Sequence, residues 1–458
     1  MTATLRIPLP RDQLIAKYEG CAPRYTSYPT AVQFTAAVQA GLYRRWLSEL
    51  PVGEPVSLYV HIPFCSRLCW YCACNTRAVN SHDAIGGYMR LLTREIALLA
   101  EALPGRMGAR ALHLGGGTPN MLDPDDLDVL FGALRSAFAF EPGVEIAAEL
   151  DPAVLTRSWV EAAARHGLNR VSLGVQNLSP EVQTAVNRPE TFEDLAECVR
   201  WLRLVGIESV NLDLMYGLPR QTTANTVSTI EGVLRLQPER IALFGYAHVP
   251  WMKPHQKLLD EATLPGPAER LDQFGAATER LRQAGYVRIG LDHFAKPSDE
   301  LAVALRQGRL HRNFQGYTTD AARTLLGVGA SAIGSLPQGL VQNVTQELGW
   351  RAAVARAELP IARGVALTDE DRFRSEIIER LMCDLAIDLE AVCARHGRKL
   401  AELAAELACL QPFADDGLVR IDGARLAVTQ AGRFLVRSVC AVFDAYLAPE
   451  AQRHAKAI

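Results

Sequence analysis

The chain has 458 residues, of which 49% are hydrophobic and 22% are charged, and its formal net charge is −3. These values are typical of a globular protein of two or three domains, and the small net charge gives no general attraction to nucleic acid or to an anionic membrane. The sequence contains no apolar run of 18 residues and no apolar signal-peptide core near its N-terminus. We therefore expect a cytoplasmic protein with reduced cysteines and with neither a nucleic-acid nor a membrane partner.

Residues 1–50 predict no domain of their own. They contain the string PRYTSYPTA at positions 23–31, which is rich in tyrosine, hydroxyl groups and proline. By composition alone, this string indicates a surface loop that packs its tyrosines on the main domain.

Between Ser57 and about Phe294, short apolar runs alternate with amphipathic segments of helical period. The predicted strands are Leu58–Ile62, Ala111–Leu114, Glu145–Leu150, Arg170–Val175, Val210–Met215, Arg240–Tyr246 and Val287–Leu291. The predicted helices are Tyr88–Leu103, Pro124–Phe138, Thr156–His166, Phe192–Val205, Thr222–Leu236 and Pro267–Ala284. Repeated β-α units favour a parallel sheet with helices outside, and six or so units are too few for a closed eight-stranded barrel. The predicted fold is therefore α/β, a partial (β/α)6 barrel over residues 51–295.

Two further regions follow the predicted barrel. Residues 296–366 are predicted to extend it with ligand-approaching loops at Leu310–Thr319 and Gly327–Gly334, because both are rich in glycine and hydroxyl groups. Residues 367–458 predict a mainly helical domain with a hairpin, Leu418–Ile421 and Arg425–Val428, and a last helix capped by Thr429. This pattern resembles a winged helix, but without a dense basic face we expect it to pack over the barrel mouth rather than on DNA.

The polar and glycine-rich motifs fall where the predicted strands end. Ligands of such folds bind at the carboxyl ends of the parallel strands. In chain order these ends carry the cysteine segment, Gly115–Pro119, Glu149, Gln176, Asp213 and Ala247. The sequence therefore predicts one site at this edge of the sheet.

The cysteine segment is the most specific motif. Cys65, Cys69 and Cys72 follow a predicted strand at the spacing C-x3-C-x2-C. Three thiolates this close can hold three irons of a cubic iron–sulfur cluster and leave the fourth iron open, whereas a structural cluster normally has four cysteines. A zinc site pairing Cys65 with Cys69 and Cys72 with Cys74, and purely structural cysteines, remain alternatives at this point.

These motifs resemble a known family. The cysteine spacing after a strand resembles the radical S-adenosylmethionine (SAM) superfamily. The strings YVHIPFC and C-x-Y-C-x-C resemble the oxygen-independent coproporphyrinogen III oxidases, also called dehydrogenases, of haem biosynthesis. The resemblance runs from about Pro23 through nearly the whole chain, and it implies the partial barrel as well.

The resemblance implies the following chemistry. One 4Fe–4S cluster is held by Cys65, Cys69 and Cys72, and its open iron chelates SAM. One electron then cleaves SAM to methionine and a 5′-deoxyadenosyl radical. That radical starts the anaerobic oxidative decarboxylation of the ring A and B propionates of coproporphyrinogen III to vinyl groups, giving protoporphyrinogen IX. An electron donor and an electron acceptor, both unidentified, are needed, and the chain is expected to be a monomer.

The resemblance also implies site residues, position by position. Two SAM molecules would be bound by Tyr59, Tyr71, Gly116, Gly117, Thr118, Glu149, Gln176, Arg188, Asp213, Ala247 and Ile333. Tyr59 and Cys74 would act in catalysis, and Arg24 and Tyr25 would close the site over the substrate. Candidates for the propionates are Arg24, His248, His311 and Arg312. Leu340 and Trp350 stand where the family has tyrosine, which places substrate-side details in doubt.

Two rival functions use the same scaffold. Haem-chaperone paralogues share YVHIPFC and GGGTP, but Cys74 and the PRYTSYP string oppose that interpretation. A radical SAM methyltransferase is the other. Haem titration would expose the first, and iron and sulfide analysis would separate both from a zinc protein.

Overall fold

The computed structural model of the protein describes residues 11–18, 20 and 22–447. Parts of the predicted N-terminal segment and C-terminal domain, residues 1–10, 19, 21 and 448–458, lie outside these ranges. No helix within the described ranges is long and apolar enough to cross a membrane.

The strands and helices follow in chain order. The strands are β1 (Val56–Ile62), β2 (Phe64–Cys65), β3 (Arg77–Ala78), β4 (Gly108–Gly116), β5 (Ala139–Leu150), β6 (Arg170–Gln176), β7 (Ser209–Tyr216), β8 (Arg240–Gly245), β9 (Val287–Ile289), β10 (His293–Ala295), β11 (His311–Asn313), β12 (Gly316–Thr318), β13 (Leu325–Val328), β14 (Ile333–Leu336), β15 (Gly339–Asn343), β16 (Ile361–Ala366), β17 (Ala386–Asp388), β18 (Val419–Asp422) and β19 (Arg425–Val428). The α-helices are α1 (Arg11–Tyr18), α2 (Ala40–Ser48), α3 (His82–Ala102), α4 (Pro124–Ala137), α5 (Arg157–Arg165), α6 (Pro180–Ala185), α7 (Phe192–Leu204), α8 (Thr223–Leu234), α9 (Pro267–Gln283), α10 (Glu300–Arg306), α11 (Glu347–Ala355), α12 (Asp369–Asp384), α13 (Leu389–Arg395), α14 (Ala404–Asp415) and α15 (Val436–Ala441).

The centre of the main sheet is parallel and forms the wall of an open barrel. Its order is β16-β15-β14-β13-β1-β4-β5-β6-β7-β8-β10-β9. Neighbours from β13 to β8 pair in parallel, and the flanking strands pair antiparallel. The six predicted parallel strands are all present, and the α/β fold class is confirmed. The carboxyl ends of these strands therefore meet at one edge.

Capping residues start the barrel helices where the sequence indicates. The Asp123 side chain accepts a hydrogen bond from the backbone N–H of Asp126, and the Asp126 side chain accepts one from the backbone N–H of Asp123. Pro124 occupies the first helical turn of α4. The Thr156 hydroxyl accepts from the backbone N–H of Trp159 at the start of α5. Local chemistry therefore fixes the helix starts that the sequence predicts.

Three predictions about elements beside the barrel are wrong. The run Val287–Leu291 is not a further parallel strand. It shortens to β9, antiparallel to β10, because a three-residue connection permits only a hairpin. Gly327–Gly334 is only partly a loop, since its first two residues belong to β13 and its last two to β14. A Cβ atom on Gly327 would lie 2.6 Å from the carbonyl oxygen of Ile333, so glycine serves close strand packing there. Leu310–Thr319 likewise contains the hairpin β11–β12.

The C-terminal region has the predicted hairpin but differs on either side of it. Helix α12 stops where Leu385 adopts a left-handed conformation with φ of 58°, and β17 then joins the hairpin as a third strand. The last helix is much shorter than predicted and is not capped by Thr429. The Thr429 hydroxyl donates to the carbonyl of Gly417 at 2.7 Å and accepts from Gly432 at 3.1 Å, which stabilises a turn. A 3-10 turn and the short α15 follow.

The N-terminal string packs on this C-terminal region, not on the barrel as composition suggested. Tyr25 and Tyr28 are buried in its hydrophobic core. The Tyr25 hydroxyl donates to Asp444 at 3.0 Å, and the Tyr28 hydroxyl accepts from the backbone of Ala445 at 2.9 Å. The two ends of the chain are thereby joined.

Trp350, one of the two departures from the family pattern, is a fully buried core residue. Its indole N–H donates to Glu95 at 2.8 Å, and its ring stacks on Tyr88. Glu95 also accepts from Gly329 at 2.8 Å and from Asn343 at 2.6 Å. Burial nevertheless raises the pKa of Glu95 to about 7. Trp350 is therefore a hydrogen-bond donor to a buried carboxyl group of the core.

We expect Trp350→Phe to destabilise the fold more at pH 8.5 than at pH 5.5. The folded-state pKa of Glu95 lies above its unfolded value of 4.5, so its favourable contribution is complete below that value and is lost as pH rises through about 7. Removing a donor costs roughly 1–3 kcal/mol once the carboxylate is charged. Urea unfolding at both pH values measures the difference.

Trp159→Phe is the matched control. Trp159 is equally buried, but its indole nitrogen has no hydrogen-bond partner among the described residues. Its loss should cost the same free energy at both pH values. An identical pH response in the two variants would contradict the role assigned to Trp350.

Candidate active site

A cavity of about 180 Å³ opens at the carboxyl ends of the parallel strands. It is lined by predicted site residues from every part of the barrel: Cys65, Cys69, Tyr71, Cys72, Cys74, Gly116, Gly117, Thr118, Glu149, Gln176, Arg188 and Asp213. These residues span 149 positions of the chain, and only the parallel topology brings them together. A second cavity of about 260 Å³ inside the barrel shares Glu149, Ser172 and Asp213 with it.

The triple glycine lets the cysteine segment lie directly on the barrel edge. The N–H of Gly117 donates to the carbonyl of Ile62 at 2.7 Å, which joins the ends of β4 and β1. A Cβ atom on Gly117 would lie 2.7 Å from both the Phe64 carbonyl oxygen and the Thr76 hydroxyl. Gly116 has φ of 115° and would meet the His61 ring at 2.8 Å. Any side chain here would push the cysteine segment away.

Each of the three spaced cysteines receives a hydrogen bond at sulfur. The Thr118 hydroxyl donates to Cys65 at 3.4 Å. The guanidinium of Arg188 donates to Cys69 at 3.4 Å, and the backbone N–H of Cys74 donates to Cys72 at 3.4 Å. Donors of this kind stabilise thiolates, which are the forms that bind metal.

The thiol pKa values reflect this environment. The side chain of Cys74 donates a hydrogen bond to Cys72, which lowers the pKa of Cys72 and raises that of Cys74. Burial raises the pKa of Cys65, although its hydrogen bonds with Thr118 and Thr76 act to lower it. The surroundings thus favour the thiolate of Cys72 and disfavour those of Cys65 and Cys74.

The sulfur spacing favours a group larger than one ion. The only His, Cys, Asp or Glu group of the described residues with three ligand atoms within 4.8 Å of one another is His82, Asp123 and Asp126, on the surface elsewhere. Four thiolates around one zinc ion would be about 3.8 Å apart, given zinc–sulfur bonds of about 2.3 Å. The sulfur atoms of Cys65, Cys69 and Cys72 do not all lie within 4.8 Å of one another, so they are not arranged around one zinc ion.

Arg188 connects the cysteine segment to the sheet. Its side chain is buried and forms an ion pair with Asp151 at 3.0 Å, while it also donates to the carbonyl of Gly174. Burial opposes its charge, but neighbouring Tyr71 and Asp151 hold the pKa of Arg188 well above its usual value. A permanent positive charge therefore lies beside Cys69. The sequence reasoning missed Asp151, although it stands two residues beyond Glu149.

Two carboxylates at the cavity differ in their environment. Burial alone would raise the pKa of Glu149, but its 3.0 Å hydrogen bond with His113 and the charge of that ring hold it below the usual value. Asp213 accepts from Ser172 at 2.6 Å and Asn211 at 2.8 Å, yet burial raises its pKa. The surroundings thus favour the ionised form of Glu149 and disfavour that of Asp213.

Tyr59 lies beneath the cavity rather than in its wall. Its hydroxyl donates to His61 at 3.0 Å, since the other ring nitrogen of His61 is bonded to the carbonyl of Asn75 at 2.9 Å. Burial lowers the pKa of His61, which keeps the ring neutral. The Tyr59 ring also approaches Gly115 and stacks on His113, so Tyr59 supports the residues beneath the site.

A loop after β8 also contacts the cysteine segment, and no sequence motif predicts these contacts. Lys253 donates to the carbonyl of Cys74 at 2.9 Å, and His255 contacts the carbonyl of Cys72 at 2.7 Å. Gln256, which is fully buried, donates to the carbonyl of Tyr71 at 2.9 Å. Polar residues in an irregular loop have no periodic pattern, so this support could not be predicted.

Other predicted residues lie away from the lining of this cavity. The carbonyl of Ala247 accepts from Gln256, and Ile333 begins β14. Arg24 donates to the carbonyl of Gly245 at 3.1 Å, at the carboxyl end of β8, whereas Tyr25 is in the core described above. A third cavity, of about 340 Å³, is lined by Tyr25, His311, Arg312 and the departure Leu340. His248 pairs with Glu261.

Comparison with known proteins gives the family. The model of the radical SAM superfamily matches residues 59–232, and that of the HemN C-terminal domain matches residues 367–435. The oxygen-independent coproporphyrinogen III oxidase of Bradyrhizobium diazoefficiens is 49% identical over 447 residues, which are 98% of this chain and 99% of the relative. The enzyme of the same name from Salmonella typhimurium is 40% identical and covers 96% of each chain.

A solved structure agrees. Coproporphyrinogen III oxidase (HemN) from Escherichia coli, described as a radical SAM enzyme, matches with a TM-score of 0.90 at 37% identity, over 96% of this chain and 100% of that chain. Similarity at this level extends over the barrel and the C-terminal region alike. The chain belongs to the radical SAM family of oxygen-independent coproporphyrinogen III oxidases.

Proposed function

We propose that the protein converts coproporphyrinogen III to protoporphyrinogen IX without oxygen, by oxidative decarboxylation of the ring A and B propionates to vinyl groups. The observation that carries this proposal is the convergence of the three spaced cysteines, two glycines of the triple glycine and three carboxylates on one cavity. Full-length relatives named for coproporphyrinogen III oxidation support the substrate.

The cysteines are proposed to hold the cluster. Cys65, Cys69 and Cys72 would bind one 4Fe–4S cluster, and Cys74, which is exposed, would remain a free thiol in the cavity wall. Bound cluster and SAM together supply one-electron cleavage of SAM to methionine and a 5′-deoxyadenosyl radical. Arg188, Thr118 and the backbone of Cys74 stabilise the thiolates through their hydrogen bonds.

The remaining wall residues are proposed to bind two SAM molecules. Bare backbone at Gly116 and Gly117 with the Thr118 hydroxyl suits the amino acid end of one SAM, and Glu149 suits hydroxyl donors. Gln176, Arg188 and Asp213 in the same lining suit a second molecule together with Tyr71. Ala247 and Ile333, which lie outside this lining, are proposed to complete the set. Equilibrium dialysis of SAM against the loaded protein should saturate at two per chain, and a plateau at one would contradict this proposal.

Catalytic roles are proposed for four further residues. Tyr59 positions the cavity floor through His61, and the Cys74 thiol is placed to contact the reacting molecules. Arg24, beside the carboxyl end of β8, and Tyr25 are proposed to order the N-terminal string over the substrate, with Arg24 and Arg312 as cations for propionates. An electron acceptor must take the second electron of each decarboxylation.

The reaction is tested directly under anaerobic conditions. Cluster-loaded protein reduced with limiting dithionite and given SAM, coproporphyrinogen III and a one-electron acceptor should form protoporphyrin after oxidation, together with matching 5′-deoxyadenosine. 5′-Deoxyadenosine without any change in the porphyrin would refute the substrate. Absence of 5′-deoxyadenosine would refute the radical SAM chemistry itself.

The cysteine assignment predicts two different variants. Cys69→Ser should lose both the cluster and SAM cleavage, because one of only three ligands is gone. Cys74→Ser should keep the cluster but turn over more slowly. Iron and sulfide content with the visible spectrum measures both, and an iron-free Cys74→Ser protein would show that the ligand set is wrong.

Gly117→Ala should disturb cluster binding although it removes no ligand. The added methyl group overlaps the Phe64 carbonyl and the Thr76 hydroxyl, which costs about 1–3 kcal/mol of stability. Gly132→Ala in α4 is the control, since nothing lies within 4 Å of its Cβ position and alanine favours helix by about 1 kcal/mol. Equal iron content in both variants would contradict the close approach proposed for the cysteine segment.

A further inference from the structure

The loop after β8 exposes an apolar surface beside the cysteine segment. Trp251 is 64% exposed, Met252 63% and Leu258 60%. These are three of the nine large hydrophobic side chains that the described residues expose in this way, and they lie within eight positions. Single exposed apolar side chains are ordinary, whereas a cluster marks an interaction surface. Aromatic residues and methionine are also enriched in such surfaces.

The same loop is basic. From residue 249 to residue 259 it contains Lys253 and Lys257 and no carboxylate, in a chain whose formal net charge is −3. Two carboxylates follow at the C-terminal end of the loop, where Asp260 accepts from the backbone of Ala262 at 3.2 Å and Glu261 lies 2.9 Å from His248. The loop therefore presents apolar and positively charged groups together.

This surface is joined to the cysteine segment by direct contacts. The side chains of Lys253, His255 and Gln256 reach the carbonyl groups of Cys74, Cys72 and Tyr71. Trp251 and Met252 precede these contact residues directly in sequence, and Lys257 and Leu258 follow them. A protein bound to these residues would thus contact the same loop that supports the cysteine segment.

We propose that Trp251, Met252, Lys253, Lys257 and Leu258, here named the donor face, dock an acidic protein that carries one low-potential electron. This inference rests on the proposed function, which needs such a donor. The reduced carrier transfers one electron to the oxidised cluster, and no bond forms or breaks at the interface. Lysines would steer the acidic carrier, and the apolar side chains would hold it briefly, as suits a small transient interface.

Comparing two reductants tests the donor face. Flavodoxin in its fully reduced form, an acidic one-electron carrier, needs to dock, whereas dithionite is small and does not. With flavodoxin, Lys257→Glu and Trp251→Ala should each slow 5′-deoxyadenosine formation by about tenfold at low salt. With dithionite, both variants should match the parent protein. The deficit of Lys257→Glu should shrink as salt screens the charges.

Matched controls lie elsewhere on the surface. Arg420→Glu makes the same charge reversal at an exposed position in β18, and Leu348→Ala removes a side chain that is 82% exposed in α11. Both should behave as the parent with either reductant. Calorimetric titration of the cluster-loaded protein with flavodoxin gives a second readout, in which Lys257→Glu should bind about tenfold more weakly.

The outcomes separate the two proposals. Unchanged flavodoxin kinetics and affinity in Lys257→Glu and Trp251→Ala would overturn the donor face. A loss with dithionite equal to that with flavodoxin would also overturn it, because the loop would then serve SAM or the substrate. A parent protein that forms no 5′-deoxyadenosine with either reductant would instead refute the proposed function, while the titration would still test docking.

Discussion

The site depends on the close approach of the cysteine segment to the triple glycine at the end of β4. The N–H of Gly117 reaches the carbonyl of Ile62, and its missing side chain leaves room for Phe64 and Thr76. The segment is irregular and could not hold three thiols in place alone. The segment packs against the rigid parallel sheet, and the loop containing Gln256 also holds it in place by hydrogen bonds.

Charge balance follows from this placement. A buried site rich in thiols and carboxylates needs positive charge within reach, and the ion pair of Arg188 with Asp151 supplies it beside Cys69. Glu149 is kept anionic by His113, whereas buried Asp213 has only neutral donors. The cavity therefore offers chemically different carboxylates, which suits polar cofactors bound in more than one orientation.

How far the sequence leads depends on whether a pattern is local. Helix caps such as Asp123, the alternating strands and the cysteine spacing are local, so the α/β barrel and most residues of the cavity could be predicted. The strand β13 could not, because Gly327 looks like a loop residue until its tight contact with β14 is seen. Contacts between distant loops, such as Arg188 with Asp151, depend on tertiary packing. The burial of Tyr25 in the C-terminal core has the same origin.

With Cys65, Cys69 and Cys72 as the protein ligands of the proposed cluster, one iron is left open to SAM. Mössbauer spectroscopy of protein loaded with ⁵⁷Fe, recorded before and after SAM is added, distinguishes this iron from the others. We expect four irons per chain, one of which changes its isomer shift when SAM binds while the other three do not. Four irons that all ignore SAM, or a protein that binds zinc and no iron, would contradict it.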